Sequence, residues 1–578
     1  MNVLLVLIPS IVIFYLASRF YAVKIENSLG IDPQKPTPSV RLNDGKDYCP
    51  TKTYILFAHH FSMIAGAGPI LGPTLAAIYG YLPSVLWIIL GGIFIGAVHD
   101  FSTLFLSIRE DGRSIAEIAK KYLGNTGFFL FISFTLLMLF LVTSAFLRAA
   151  SVSLTSMYPL DRLGLTAEQT LLNIVEKDNI KLGVIGGIAS TSVIIITLMS
   201  PLLGYLLYKK GISKLIAYII AFLIAIISIV LGFKIPVSID LNLWMVILSI
   251  YVWFASTLPV WLILQPRDFI NVQILYGGII LLLVSLFIGG IKGISLGFPA
   301  FSNQGIISLG YLWPMLFITV ACGAISGFHA IVASGTPSKQ ISTESDAKKI
   351  GYNGMLLESI LALCVVLTIC SSLNQTEYIN IVWASEKARQ NPILAFALSS
   401  GFLFNNALGI NIALGCVLGI LLVEGFVITT LDAAIRITRY IFEELWRYLF
   451  PGVKFLQKMW FNSLLAVVIM FLLAYKNAFN ALWPIFGTGN QLLAALTLIT
   501  ITVFLLTTGR KFIFALLPAI FMFATTITAL IILLKKYYLD SNYILISADI
   551  ILLFLALGVV VIFIRKIEIS LIKKRSLK

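Results

Sequence analysis

Charged side chains are scarce in this chain: they make up 12% of its 578 residues, while 59% are hydrophobic and the mean hydropathy is +0.98. Soluble globular domains carry about 25% charge. A separate water-exposed domain is therefore excluded, and a polytopic membrane protein is implied. Acidic residues are the scarcer sign, 26 against 41 Lys and Arg. The resulting +15 does not call for nucleic acid, because the basic residues lie in short loops between apolar spans; their counterpart is anionic lipid. Only five cysteines occur, without paired metal-type spacing, and Cys49 is the one in a polar loop, so no disulfide is expected. There is no G-x-x-x-x-G-K-[ST] phosphate cradle for an ATP-driven pump and no periodic Arg helix for a voltage sensor. No H-x-x-x-H or C-x-x-C occurs either, and His59 and His60, being adjacent, diverge on a helix. Neither a cofactor nor a metal is expected. Residues 3–20 lack a basic n-region and a small-residue cleavage site and read as a retained helix.

What is present is centred on residues 54–80, YILFAHHFSMIAGAGPILGPTLAAIYG. The stretch is long and apolar enough to span, which takes about 20 residues. It cannot be one regular helix. Pro69 and Pro73 lack the N–H groups that would bond the carbonyls of Ala65 and Pro69, and Gly66, Gly68 and Gly72 make departure from helical dihedrals inexpensive. Broken backbone at membrane depth is tolerated only where protein wraps it or it lines a wet cavity, and in secondary transporters such breaks hold substrate and coupling ion. The competing explanation is a Gly/Pro kink for close helix packing.

About fifteen transmembrane helices are expected, near 3–20, 54–80, 84–107, 127–156, 184–208, 214–233, 241–264, 269–290, 313–334, 353–373, 395–432, 461–475, 482–506, 512–535 and 543–566. With the N-terminus outside and the C-terminus cytoplasmic, the loops holding Arg41 and Lys46, Arg109 and Arg113, Lys209 and Lys210, Lys339 to Lys349, Arg436 to Lys458, and Arg510 all fall inside. The acidic connection with Asp161, Glu168, Glu176 and Asp178 falls outside; Lys387 and Arg389 run against the rule. The expected division is an N-terminal helix and cytoplasmic loop (1–53), a first repeat (54–233), a second repeat (241–432) and C-terminal accessory helices (433–578). Five spans per repeat make the second inverted. Its first span, 241–264, also carries prolines, Pro259 and Pro266, freeing the carbonyls of Ala255 and Leu262. The substrate is expected between the two breaks.

All four histidines lie in spans: His59, His60, His99 and His329. Histidine exchanges protons near neutral pH, and an ionisable group at membrane depth is costly unless it is used or paired. The alternative for each is a neutral ring that hydrogen-bonds a carbonyl and ties two helices. Asp100 follows His99, and because helical neighbours point about 100° apart the two are expected to meet different partners. Glu358 and Glu424 are further carboxylates at this depth, and Arg148 near an outer helix end attracts a carboxylate if it faces the cavity. Asn405 with Asn406, and Asn490 with Gln491, are neutral polar pairs; interhelical hydrogen bonding is favoured for the second.

Several long motifs resemble a known family: DYCPT (47–51) before AHHFSMIAGAGPILGP (58–73), GAVHDF (96–101) with SIREDGRS (107–114), LPVWLILQPRD (258–268), ACGAISGFH (321–329) with SGTPSKQ (334–340), TLDAAIR (430–436) and WPIFGTGNQLLAAL (483–496). The chain is similar to the CstA family of carbon starvation proteins over nearly its whole length; Cys49 and Pro337 depart from the pattern. The resemblance implies an all-α multi-spanning transporter of the cytoplasmic membrane, in the amino acid/polyamine/organocation superfamily with a five-plus-five inverted repeat of LeuT type. It further implies peptide uptake in carbon starvation or, for close relatives, proton-coupled pyruvate uptake.

The expected function is secondary import of a small carboxylate-bearing nutrient, pyruvate or peptide, with protons, by alternating access. Gly66, Gly68, Pro69, Ser256, Thr257 and Pro259 are expected to form the substrate site through their backbone. His60, His99, Asp100 and His329 are expected to relay protons, with Glu358 in reserve, and Gln265, Arg267 and Asp268 to form an inner gate. The alternatives are sodium coupling through carbonyls near residue 65 and Ser326, a nutrient sensor that binds without transport, and a passive channel.

Overall fold

A computed structural model describes residues 1–44, 48–165, 172–177, 179–259, 262–383, 391–476 and 479–576. Lys46, Asp47, Glu168, Asp178, Lys387 and Arg389 lie outside the described residues. The apolar runs form helices, since only a helix satisfies its own backbone in hydrocarbon. In chain order they are α1 (Leu4–Leu29), α2 (Thr53–Ile64), α3 (Gly68–Ala76), α4 (Tyr81–Arg109), α5 (Ile115–Leu154), α6 (Gly186–Tyr208), α7 (Lys214–Lys234), α8 (Leu241–Thr257) and α9 (Leu264–Ile291). They continue as α10 (Leu312–Thr319), α11 (Gly327–Gly335), α12 (Lys348–Ser372), α13 (Pro392–Leu408), α14 (Ile412–Leu449), α15 (Met459–Lys476), α16 (Phe479–Thr507), α17 (Ile513–Leu539) and α18 (Tyr543–Ser576). Between α5 and α6 a small antiparallel sheet, β1 (Met157–Pro159), β2 (Ile174–Lys177) and β3 (Ile180–Val184) in the order β1-β3-β2, covers one end of the bundle.

Among the described residues twelve helices are long and apolar enough to cross a membrane, or thirteen with the bent pair α2–α3. The expected fifteen also counts α8 and the pair α10–α11, which are shorter. The first break is where the Gly/Pro run puts it: α2 and α3 meet at 41°, Ala65 leaves helical geometry at ψ 58°, and Pro69 begins α3 where its missing N–H costs no bond.

The second break is not at Pro259. Helix α8 ends at Thr257, and α9 begins at Leu264 with Pro266 in its first turn. These prolines mark the end of one helix and the start of the next. The discontinuous partner lies at residues 320–326, between α10 and α11, inside the segment expected as the second repeat rather than at its start. Contacts pair α2 with α11 and α3 with α10, so the two broken helices run antiparallel through their gaps.

The expected span 395–432 is also two helices. Gly409, at φ +73°, ends α13, Asn405 donates to the Ile410 carbonyl at 2.9 Å, and Asn411 caps α14. Both ends of α13 lie at one face of the bundle: Asn391 donates to Ser156 Oγ at 3.0 Å beyond the end of α5, and the Ala407 carbonyl accepts from Lys292 at 2.8 Å beyond α9. Helix α13 therefore does not run from that face to the opposite one, and it packs along α14. That face also holds the sheet and Met1, whose carbonyl accepts from Leu296. The opposite face gathers the basic loops around Arg41, Arg109, Lys339 and Lys348.

Candidate functional site

Beside the crossing of the two gaps lies a continuous set of buried ionisable groups. Helix α4, widened by a π turn at Gly92–Gly96, presents His99 and Asp100; α11 begins at the gap with His329 in its first turn; α12 brings Glu358. Asp100 bridges two imidazoles: Oδ1 is 2.7 Å from His99 Nδ1, and Oδ2 is 2.7 Å from His329 Nδ1. The other nitrogen of His329, Nε2, stands 3.3 Å from Glu358 Oε2, close but not aligned as a hydrogen bond. All four side chains are fully buried. His99 and Asp100 thus contact each other, contrary to the expectation from their 100° separation, because the carboxylate spends one oxygen on its neighbour and sends the other across to α11.

The arrangement can hold a movable proton. With Asp100 ionised, both Nδ1–H groups donate to it, which leaves His329 Nε2 to receive a proton from the Glu358 carboxyl or to return it. His60, on α2, is fully buried near Gly354 of α12, and among the described residues neither ring nitrogen has a hydrogen-bond partner. Cys322 Sγ, His329 and Glu358 also bring three metal-type donors within 4.8 Å of one another. Three mixed donors fall one short of a closed tetrahedral site.

The remaining expected residues separate into two groups. Gly66 lies against Thr430 of α14, where a Cβ would stand 2.8 Å from Oγ1, and Gly68 lies against Cys322 in the opposite gap, where a Cβ would collide with the thiol side chain. Pro69 follows at the start of α3. Ser256, Thr257 and Pro259 are not part of this crossing. The two hydroxyls donate to carbonyls of their own helix, Trp253 and Phe254, and Arg436 of α14 donates to the Ala255 and Leu258 carbonyls at 2.6 and 2.8 Å. In the first turn of α9 Arg267 is fully buried, donates to Tyr251 at 2.6 Å and pairs with Asp432 of α14. Gln265 accepts from Tyr208 at 2.7 Å, and Asp268 Oδ2 stands 3.9 Å from His59 Nδ1.

Asp432, Tyr251, Thr430 and Cys322 were missed. TLDAAIR and LPVWLILQPRD are the two motifs that meet here, and a basic and an acidic residue in separate buried spans were the available signal. Glu424 is buried beside Ser153, Arg148 meets Met245 Sδ at 3.8 Å, and Asp549 is buried in α18 without a hydrogen bond among the described residues, none of which explains it.

The model of the family described as carbon starvation protein CstA matches residues 2–389 and 382–529. The chain belongs to the CstA family. The peptide transporter CstA of Bacillus subtilis (strain 168) is 30% identical over 97% of this chain and 96% of its own length. The peptide transporter CstA of Escherichia coli (strain K12) is 32% identical over 91% and 80%, and the pyruvate/proton symporter BtsT of the same organism 30% identical over 92% and 81%. Among solved structures, MhsT in complex with L-phenylalanine is similar at 14% identity and a TM-score of 0.46, covering 89% of this chain and 98% of its own. A manganese transporter variant from Eremococcus coleocola is similar at 12% identity and 0.47, covering 90% and 95%. With its matched family and its apolar helices, this CstA-family chain is a predominantly α-helical, multi-spanning membrane protein.

Proposed function

We propose that this CstA-family protein is a secondary importer of the cell membrane that carries a small carboxylate-bearing nutrient, pyruvate or a short peptide, inward with protons. The observation that carries this reading is the buried run His99–Asp100–His329–Glu358 against the crossing of two antiparallel discontinuous helices. Groups so placed have no structural need for two adjacent proton acceptors, and transporters use such placements for relays. Relatives named peptide transporter and pyruvate/proton symporter support both the substrate class and the coupling ion.

In the cycle, the substrate carboxylate is received at the start of α3, between Gly66 and Pro69, where the Gly68 N–H and the positive end of the helix favour an anion. The proton is held between His329 and Glu358, with Asp100 fixing the ring, while His60 and His99 extend the path. The basic face is cytoplasmic, with the N-terminus outside. There the buried Arg267–Asp432 pair, with Tyr251 and Arg436, forms the closed inner gate, and release requires α8, α9 and α14 to part. Ser256, Thr257 and Pro259 belong to this gate rather than to the substrate site.

Sodium coupling is the second reading. Carbonyls of the second gap are already used, since Gln491 donates to Phe317 and Val320 and Trp87 also donates to Val320, which leaves fewer oxygens for a cation. Counterflow in proteoliposomes with labelled pyruvate against labelled dipeptides identifies the substrate. An imposed pH gradient in choline medium, free of sodium, drives accumulation if the proposal holds; dependence on sodium favours the second reading, and binding without counterflow a sensor.

A further inference from the structure

Helix α16 lies within the C-terminal segment expected to be accessory, yet it carries Asn490 and Gln491 into the second gap. We propose that these two amides are positioning residues: they hold α10 and α11 in register across residues 320–326, and through Phe328 they set where the His329 ring stands. The inference rests on the proton-coupled transport reading for its consequence, but not for its geometry.

A break in a helix leaves carbonyls on the side that ends and N–H groups on the side that begins. Gln491 serves the first: its Nε2 donates to the Phe317 carbonyl at 2.5 Å and toward Val320 at 3.4 Å. Asn490 serves the second: its Oδ1 accepts from the Phe328 N–H at 2.8 Å, while its Nδ2 donates to Ser326 Oγ at 3.0 Å and stands 3.8 Å from Cys322 Sγ. Both amides are fully buried. Successive residues on one helix point in different directions, so a single Asn-Gln pair reaches both sides of one gap. Gly327 supports the same docking, because a Cβ there would collide with the Asn490 carbonyl oxygen, so α11 begins in backbone contact with α16.

The amide that Asn490 caps belongs to the residue immediately before His329, whose 2.7 Å bond to Asp100 tolerates little displacement. A pair that only glued helices together would have no reason to divide itself between the carbonyl end and the amide end of a break. Helix α16 is therefore the rail on which the broken helix is registered.

The test uses full-length protein in which Cys49, Cys364, Cys370 and Cys416 are replaced by Ser, so that labelling by a membrane-permeant maleimide reports Cys322. Asn490→Ala, Asn490→Asp, Gln491→Ala and Gln491→Glu are compared by labelling and by the ratio of uphill uptake to counterflow. An aspartate at 490 still accepts from Phe328, whereas a glutamate at 491 turns acceptor oxygens against two carbonyls. Labelling is expected to rise at least tenfold in Asn490→Ala and Gln491→Glu, and less in Asn490→Asp and Gln491→Ala. Uphill uptake should be lost in the first two while counterflow persists. Equal behaviour of each isosteric acid and its parent amide, in both readouts, overturns the proposal. If Asn490→Ala does not reach the membrane, the Asn490→Asp against Gln491→Glu comparison decides, since both keep side-chain volume. The labelling order without any wild-type uptake would retain the positioning role and reject the transport reading.

Discussion

Asp100 and His329 are 229 positions apart in the chain and 2.7 Å apart in the fold, carboxylate to imidazole, with no access to solvent. A contact of this kind is strong in its low-dielectric surroundings and costly to leave half made. It links the continuous helix α4 to the half-helix α11 and so ties the buried ionisable cluster to the gap.

Asp100→Asn should abolish uphill uptake while leaving counterflow within about tenfold, because the relay loses its anion but the gap keeps its shape. Removing one partner of a buried pair costs about 3–5 kcal/mol, so a lower melting temperature in detergent should accompany it. His99→Ala is expected to shift the pH profile of uptake without abolishing it, since His99 occupies only the second oxygen; uphill uptake with an unaltered profile removes His99 from the relay.

Gly68→Ala should nearly eliminate transport, because the added Cβ has no room against Cys322. Overpacking typically costs about 1–3 kcal/mol. Adding Cys322→Gly should restore part of the rate. Two independent losses, measured as initial counterflow, would show that Gly68 and Cys322 do not meet.

Asp432→Asn should loosen the inner gate, leaving the buried Arg267 guanidinium without its anion. Cysteines introduced near Gly66 should then become reachable by a membrane-impermeant thiol reagent from the cytoplasmic side. Arg267→Lys should open it as well, because one terminal guanidinium nitrogen, Nη1, meets both Tyr251 and Asp432, and the shorter lysine does not carry its ammonium that far. Unchanged reactivity in both variants places the gate elsewhere.

At the basic face, Asp346 accepts from Thr53 at 2.7 Å, Thr343 at 2.8 Å and Lys349 at 2.9 Å, tying the start of α2 to the loop after α11. Burial pushes its carboxyl upward, but the bonds from Thr53, Lys349 and Thr343 outweigh it and hold the carboxyl below its ordinary value. A depressed carboxyl contributes stability in full above the unfolded value, about 3.9, and loses it as pH falls through the lower folded value. Asp346→Asn should therefore destabilise the protein at neutral pH and show a smaller further loss than wild type on acidification, as followed by thermal unfolding.

Part of this architecture was legible in the chain and part was not. G-A-G-P at 66–69 breaks a helix by its own dihedral and hydrogen-bond preferences, so local chemistry sufficed there. V-A-C-G-A-I-S at 320–326 has one glycine and no proline; its break is sustained by amides from α16, which no local pattern reveals. Pro259 carries the same signal as Pro69, but α8 has already ended before it, and periodicity does not separate a broken span from the end of one. The buried cluster was legible because His60, His99, Asp100, His329 and Glu358 stand out against apolar spans. That Asp100 would bond both histidines was not, since helical spacing describes Cα–Cβ directions and not the reach of a carboxylate.

The most direct test is the proton movement that accompanies substrate entry, recorded with a pH dye trapped inside proteoliposomes containing wild-type protein or Glu358→Gln. The expected result is lumen acidification on adding the transported substrate to wild type, and none with Glu358→Gln although counterflow of the same substrate continues. Equal acidification by both proteins would contradict a proton held between His329 and Glu358.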